Sequence, residues 1–328
     1  MVPTGPGRTP IVIQYRTFCN FDPPLLADLW NACFSDPGAV SLRSATLLEY
    51  FTFAKPYFDP AGLLLALADG KPVGFAHAGF GPGNGGREVD YTRGVLCALG
   101  VVPAFRGQGI GSQLLARSED YLRRRGATEL FAGPLAPLNP FTFALYGGSQ
   151  SPGFLDSSTA ARPFLERRGY RTQEIALVYR CGLDRAPAIL DGRFGAMRQR
   201  YEVLLAPRHG LSWYQEGVIG PVEVHDFHLR DKVTGRLLAH VGVWEMETFG
   251  PRWNQHAVGI LEVETVPDLR RQGLAKFLMA MLLRHLHEQF FTLAETQVPE
   301  GNEPAKRLLQ TLGFAHTDTG RRFRRESS

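Results

Sequence analysis

Cysteine is scarce in this chain. Only four occur, Cys19, Cys33, Cys97 and Cys181, all in the first half and none in a Cys-x-x-Cys pair. A disulfide framework needs a denser set, so these read as reduced thiols in a cytoplasmic protein. Cys97, inside an apolar run, reads as a small core residue and not as a nucleophile. Long hydrophobic stretches are also missing. None reaches the length of a membrane span, and Met1–Pro10, rich in Pro, Gly and Thr, has no apolar stretch of the signal-peptide kind. That start reads as a flexible N-terminus, residues 1–10. Charge of one sign is not concentrated either: 36 Lys and Arg against 32 Asp and Glu leave a net +4, with the two signs interspersed. Nothing here argues for nucleic acid or a membrane as partner, and Arg321–Arg325 reads as a solvated end. The histidines hold no metal. His225 and His228 on a strand point to opposite faces, His285 and His287 on a helix diverge, and no third ligand lies at suitable spacing.

Plenty is present. With 44% apolar and 21% charged residues, 328 residues suit two domains of about 160 each. One stretch organises the first. The apolar run Gly94–Leu99 leads through Val101-Val102-Pro103-Ala104-Phe105-Arg106-Gly107-Gln108-Gly109-Ile110-Gly111 into Ser112–Arg125, whose apolar residues recur at helical spacing. A strand, a glycine-rich turn and a helix start follow one another. Glycines let the backbone approach a ligand closely, and the first N–H groups of a helix lack partners within it, so such a turn binds an anion, most often a phosphate. Arg106 adds a fixed positive charge.

The stretch recurs as Val266-Pro267-Asp268-Leu269-Arg270-Arg271-Gln272-Gly273-Leu274-Ala275. A second echo follows each copy: Ala161–Tyr170, ending Arg168-Gly169-Tyr170, and Ala305–Phe314, ending Leu312-Gly313-Phe314. Two motifs in the same order in both halves indicate an internal duplication.

Arg-x-x-Gly-x-Gly (Arg106, Gly109, Gly111) and Arg-x-x-Gly-x-Ala (Arg270, Gly273, Ala275) resemble the acyl-CoA pyrophosphate loop of the GNAT acetyltransferase superfamily. Val-x-Pro before each loop and the late helix ending in Leu-Gly-Phe or Arg-Gly-Tyr fit the same pattern. Asn302 resembles the family's asparagine at the start of that helix. The resemblance covers both halves and implies a tandem α/β protein, each half a mixed twisted sheet flanked by helices. It implies acetyl-CoA or another acyl-CoA as co-substrate. The implied CoA-binding positions are Leu99, Val101, Arg106, Gly107, Gln108, Gly109, Ile110, Gly111 and Ser112 in the first copy. In the second they are Val266, Arg270, Arg271, Gln272, Gly273, Leu274 and Ala275, with Asn302.

The expected domains are residues 11–183 and 184–328, joined near Cys181–Pro187. In the first, Ile11–Arg16 reads as a strand, Asp22 caps a helix running to Phe34, and Ser41–Phe53 is helical. Leu63–Ala68 and Val73–Phe80 form a hairpin, and Glu129–Gly133 and Ile175–Arg180 are strands. In the second, Ile189–Leu205 reads as a helix and Leu211–Glu216 as a strand. Val222–Leu229 and Arg236–Glu247 pair as a hairpin. From Gly109 to Gly169 is 60 residues, from Gly273 to Gly313 only 40. The first copy therefore carries an insertion, about residues 134–158, rich in Pro, Gly, Asn and aromatics. It is either a functional lid or a covering loop packed by its aromatics.

The expected reaction is acyl transfer, acetyl by preference, from a thioester to a primary amine of a small molecule. The competing expectation is a scaffold that binds CoA without turnover. The resemblance implies a strand before the loop whose backbone N–H groups polarise the thioester carbonyl. For the base, Glu264 and then Glu262 are the candidates, two apart on the strand before Arg270. Their alternative is a wet surface or a pairing with arginine. The matching first-copy positions are Ala98 and Gly100, which transfer no proton. The family's usual tyrosine acid is replaced by Leu165 and Leu309, and Tyr146 or Tyr214 are the available substitutes.

Overall fold

The structure is a computed structural model that describes residues 12–185, 189 and 191–326. The N-terminal stretch 1–10, Ile11 at the start of the first expected strand, and residues 186–188 of the expected linker lie outside the described residues.

Thirteen strands are described: β1 (Ile13–Thr17), β2 (Leu63–Ala68), β3 (Lys71–Pro82), β4 (Val89–Val101), β5 (Glu129–Ala132), β6 (Phe154–Leu155), β7 (Tyr170–Gly182), β8 (Tyr201–Pro207), β9 (Val224–Asp231), β10 (Leu237–Glu245), β11 (Ala257–Thr265), β12 (Leu293–Pro299) and β13 (Ala315–Arg325). They form one continuous sheet in the order β1-β2-β3-β4-β5-β13-β7-β12-β11-β10-β9-β8, with β6 against β13. The two copies therefore share a sheet by exchanging their last strands. β13, from the second copy, lies between β5 and β7 of the first, and β7 pairs antiparallel with β12 along Leu293↔Gly182 to Pro299↔Ala176. The domain boundary near residue 183 divides the sequence, while the hydrogen-bonded ladder runs across it.

Burial on both faces explains the composition of the central strands. In β2 the alternate residues Leu63 and Leu65 face the helix Pro23–Cys33, while Leu64 and Ala66 pack beneath the helix Ile110–Arg124. A strand covered on both faces reads as a continuous apolar run, as Leu63–Ala68 does. The insertion supplies the seam between the copies. Phe143 and Trp244 meet at 4.9 Å between ring centroids, and Tyr57 stacks on Tyr214 at 4.8 Å. Beside them, buried Lys55 donates through Nζ to Val218 O at 2.8 Å, serving the C-terminal carbonyls of a second-copy helix.

Three local expectations give way. Asp22 does not cap the first helix through its side chain. Its carboxylate takes the Arg16 guanidinium at 2.6 Å on both oxygens and the Cys19 N–H at 2.7 Å. The helix expected over 189–205 is confined to Phe194–Arg200, because Tyr201–Pro207 is drawn into the sheet as β8 against β9. The strand expected at 211–216 is the helix Trp213–Ile219, started by a capping box in which Ser212 and Gln215 exchange hydrogen bonds. The Ser-x-x-Gln spacing carried that signal.

Candidate active site

In the first copy, β4 pairs in parallel with β5 only from Arg93↔Glu129 to Leu96↔Ala132. Beyond Leu96 it runs on to Val101 with β3 alone, so β4 and β5 splay apart. A β-bulge lies at the splay, where the register against β3 shifts between His77↔Ala98 and Ala78↔Leu96 and leaves Cys97 as the extra residue. Val102 N–H donates to Val73 O at 2.9 Å, so strand alternation turns the main-chain groups of Val101 and Leu99 to the open side. Arg106 confirms that direction by donating Nε to Val101 O at 2.9 Å, with a second bond to Cys33 O at 3.2 Å.

The loop delivers the chain to the helix Ile110–Arg124 through Gly109 at φ 81°. That left-handed conformation suits glycine, and a Cβ built there meets no atom within 4 Å, so the space in front of the turn is open. The first intrahelical bond is Gln113 N to Gly109 O, which leaves the N–H groups of Ile110, Gly111 and Ser112 without helical partners. Arg168 stands beside them. Its guanidinium lies 3.8 Å from the Phe164 ring centroid, donates to Ser112 Oγ, and has its pKa lowered by burial and by neighbouring Arg167.

These parts line one cavity of about 740 Å³. Of the positions expected to bind CoA, Leu99, Val101, Arg106, Gly107, Gly109, Ile110, Gly111 and Ser112 line its wall; Gln108 does not, its amide turned back to Ala104 O at 3.4 Å. The opposite wall combines the insertion, which carries Tyr146, with first-helix residues that no motif marked. It comes from the first helix and the residues after it (Trp30, Cys33, Asp36) and from the insertion and its exit (Thr142, Tyr146, Ser158). Tyr146 accepts from Leu155 N at 3.0 Å and lies 3.4 Å from Ser158 Oγ, which donates to Asp36 Oδ2 at 3.1 Å. Burial raises the Tyr146 phenol, so it stays protonated, and burial pushes the Cys33 thiol up to about 12. Neither Cys33 nor Cys97 is an activated nucleophile, since burial raises Cys97 as well.

The second copy has the same scaffold with its openings filled. β11 pairs with β12 up to Ile260↔Thr296 and then continues with β10 alone, so Leu261 answers to Cys97. Onto that position the insertion of the first copy lays its chain: Gln150 Nε2 donates to Leu261 O. Gln297 Nε2 donates to Gly147 O at 2.7 Å, Ser149 N to Glu295 Oε1 at 2.7 Å, and Trp244 Nε1 to Ser149 O at 3.0 Å. A Cβ on Gly148 would collide with the Glu295 carboxylate, so only glycine lets the loop descend this far. At the second glycine turn, a Cβ on Gly273 would lie 3.0 Å from the Arg193 guanidinium, and Arg193 is tied to Asp191, which also holds Lys276 at 3.2 Å.

The profile of the acetyltransferase (GNAT) family matches residues 24–147 and again 199–314. The chain belongs to the GNAT family. Solved structures similar in fold include a GCN5-related N-acetyltransferase from Sphaerobacter thermophilus, 17% identical with a TM-score of 0.63, over 96% of this chain and 95% of that one. A tandem GNAT protein from the clavulanic acid biosynthesis pathway is 17% identical with a TM-score of 0.66, over 97% and 99%. A glucosamine N-acetyltransferase region of a fungal multi-domain GH3 β-N-acetylglucosaminidase is 14% identical with a TM-score of 0.67, over 97% of this chain and 38% of that one. No curated protein sequence matches the chain. Among the described residues of this GNAT chain, no helix is long and apolar enough to cross a membrane.

The carboxylates expected as bases fall elsewhere. Glu262 is ion-paired to Arg208, which also holds Asp226 at 2.6 Å, and burial leaves that arginine 11% exposed. Glu264 is exposed opposite His240 on β10. Neither lines the cavity, because it lies in the other copy. The second-copy set Val266, Arg270, Arg271, Gln272, Gly273, Leu274 and Ala275 does not line it either. Asn302 caps the helix Glu303–Thr311, its Oδ1 accepting from Ala305 N at 3.2 Å, which accounts for it without a cofactor. Tyr214 is also accounted for, donating to Phe80 O at 3.0 Å.

Among the described residues, four buried side-chain polar atoms have no hydrogen-bond partner, those of His77, Ser118, Ser149 and Arg322. His77 on β3 is 5% exposed, its Nε2 has no hydrogen-bond partner, and Phe141 stacks on its ring at 4.1 Å. Burial pushes its pKa from 6.5 down to about 3. The folded protein therefore leaves it neutral where the unfolded chain binds a proton. Stability is full above about pH 6.5 and falls as the pH drops toward 3, by about 1.4 kcal/mol per unit. Urea unfolding at pH 7, 6, 5 and 4 is expected to show a shallower decline for His77→Leu than for the unsubstituted protein. Parallel declines would refute the assignment.

Proposed function

We propose that the protein is an acyl-CoA-dependent N-acyltransferase with one working site, in the first copy, acetyl-CoA as its donor and a small-molecule primary amine as its acceptor. The observation that carries this reading is the open splay of β4 and β5 beside the Gly109 turn, set against the same splay in the second copy, which the insertion fills. The residues present fit the donor. Arg106, Arg167 and Arg168 and the free N–H groups at Ile110–Ser112 offer positive charge for the phosphates. The unpaired edge of β4 offers main-chain partners for an amide-bearing arm and for the carbonyl oxygen that becomes negative in the transition state. In this reading the insertion is both a lid and a covering loop: it walls the first site and closes the second.

Tyr146 takes the role of acid. It lines the cavity, holds its proton, and is backed by Ser158 and Asp36, so it can protonate the departing thiolate and recover a proton through them. Acetyl-CoA is expected to raise the melting temperature, as a ligand of the native state does, and ATP is expected to do so less. With an acceptor found by screening amines for CoA release, Tyr146→Phe should lower kcat by about 10²-fold or more and leave acetyl-CoA affinity unchanged. Glu262→Gln and Glu264→Gln should keep the rate. No thermal shift with either CoA species would reject the donor, and a full rate for Tyr146→Phe would reject the acid.

A further inference from the structure

One segment of the second copy grips the chain around the first copy's cavity. After β10 the chain passes Thr248 and the short helix Gly250–Trp253 before entering β11. Arg252 on that helix is half-buried, and all three of its guanidinium nitrogens donate to main-chain oxygens of the first copy. Nε reaches Ala39 O at 3.2 Å, Nη1 reaches Ser35 O at 3.3 Å and Nη2 reaches Phe34 O at 3.3 Å. Trp253 Nε1 donates to Pro37 O at 2.8 Å. Two adjacent side chains thus take four carbonyls of the stretch Phe34–Ala39.

That stretch is the exit of the first helix. The last carbonyls of a helix lack partners within it and carry the negative end of its dipole. Arg106 of the first glycine turn takes Cys33 O, and Arg252 takes the next two, so one arginine from each copy serves one helix end. Ser35 and Asp36 then line the cavity. The same second-copy segment also holds the insertion. Thr248 Oγ1 donates to Ala144 O at 2.7 Å, and Ala144 stands at φ 60°, a left-handed conformation that alanine rarely adopts. Two residues on, Tyr146 lines the cavity too. The two gripped stretches are tied to each other, Val40 N to Leu145 O at 3.0 Å and Gly147 N to Gly38 O at 2.8 Å. Behind them the Arg180 guanidinium, paired with Glu295, lies 4.1 Å from the Trp253 ring centroid. Apolar contact alone would join the copies, as Phe143 does against Trp244. Directed bonds do more, because each constrains a distance and an angle, and a planar guanidinium imposes this on three carbonyls at once.

We propose that Arg252, Trp253 and Thr248 are positioning residues of the acyltransfer site, through which the second copy, closed as a site itself, holds one wall of the first. The inference rests on the reading of the first copy as the working site and deepens it. These three side chains touch no substrate. They act through Ser35, Asp36 and Tyr146, on the wall across from the Gly109 turn. A wall displaced by about 1 Å misaligns the reacting groups and costs on the order of 10²-fold in rate. The acyl donor is held by the other wall and does not depend on the clamp.

The test uses the full chain and the variants Arg252→Met, Arg252→Lys and Trp253→Phe, the last of which keeps a ring beside Arg180 and removes only the N–H. In Arg252→Met the amides of Ala39, Val40 and Gly147 are expected to exchange hydrogen at least about tenfold faster, with β10 and β12 unchanged. Acetyl-CoA affinity by calorimetry is expected to stay the same. CoA release is followed with phenethylamine, spermidine and glucosamine, and with water alone. The fastest amine should lose at least about tenfold in kcat/KM in Arg252→Met, while release to water, which needs no positioned wall, does not fall. Arg252→Lys should recover only part of the loss, since an ammonium cannot span three carbonyls in one plane. Trp253→Phe should lose less than Arg252→Met. Full turnover of the amine by Arg252→Met, unchanged exchange at the three amides, or equal losses with amine and with water overturns the proposal. Failure of acetyl-CoA to bind the unsubstituted protein would count against the donor reading instead, and the exchange result would still judge the clamp.

Discussion

Gly109→Trp is expected to abolish acetyl-CoA binding, and Gly273→Trp is expected to leave it intact. The two positions are equivalent in the duplication, both start a helix in the left-handed conformation, and both would be strained by any side chain. They differ in what lies in front of them. Before Gly109 the space is empty out to 4 Å and opens on the cavity; before Gly273 lies the Arg193 guanidinium, anchored by Asp191. On the proposed reading, an indole at Gly109 would occupy the place of the phosphates, whereas at Gly273 it would only displace the Arg193 side chain. Calorimetry is expected to give one acetyl-CoA per chain, with affinity lowered by about 10²-fold or more in Gly109→Trp, equivalent to about 2.7 kcal/mol. Two molecules per chain, or loss of binding on changing Gly273, would show that the second copy works as well. Circular dichroism separates loss of the site from loss of the fold.

Arg180→Leu is expected to lower stability by about 3–5 kcal/mol, the usual result of leaving a buried charge without its partner. Arg180 is on β7 of the first copy, and its Nε donates to Glu295 Oε2 at 2.8 Å on β12 of the second. Glu295 is fully buried, which raises its pKa, and its other oxygen takes the Ser149 N–H from the insertion. One carboxylate thus ties both copies and the lid together. Urea unfolding measures the loss, and amide exchange at Gly147–Ser151 is expected to speed up, since that segment is held chiefly by Glu295 and Gln297. The double variant Arg180→Leu, Glu295→Leu should recover most of the stability, because two apolar groups leave no charge unpaired. A double variant no more stable than the single would mean that the pair is incidental.

The sequence by itself determined the duplication, the family, the α/β class and the position of the first glycine turn. Those features are local: a glycine at a left-handed position, apolar residues at helical spacing and a strand before them are properties of some ten consecutive residues. It also placed the insertion, from the unequal spacing of two glycines. Tertiary structure alone decided which copy is open. Glu262 and Glu264 stand on the expected strand, but Arg208 neutralises one and the cavity lies in the other half. Gln150 and Ser149 close the second splay across more than a hundred residues of sequence. Tyr146, Ser158 and Asp36 converge from segments without a shared motif, and His77 is set apart only by lacking the partner that a buried imidazole normally has. The strand exchange of β7 and β13 follows the same rule. β13 pairs with β5 and β7 of the first copy, and β7 pairs with β12 of the second, pairings that join residues far apart in sequence and that no local pattern announces.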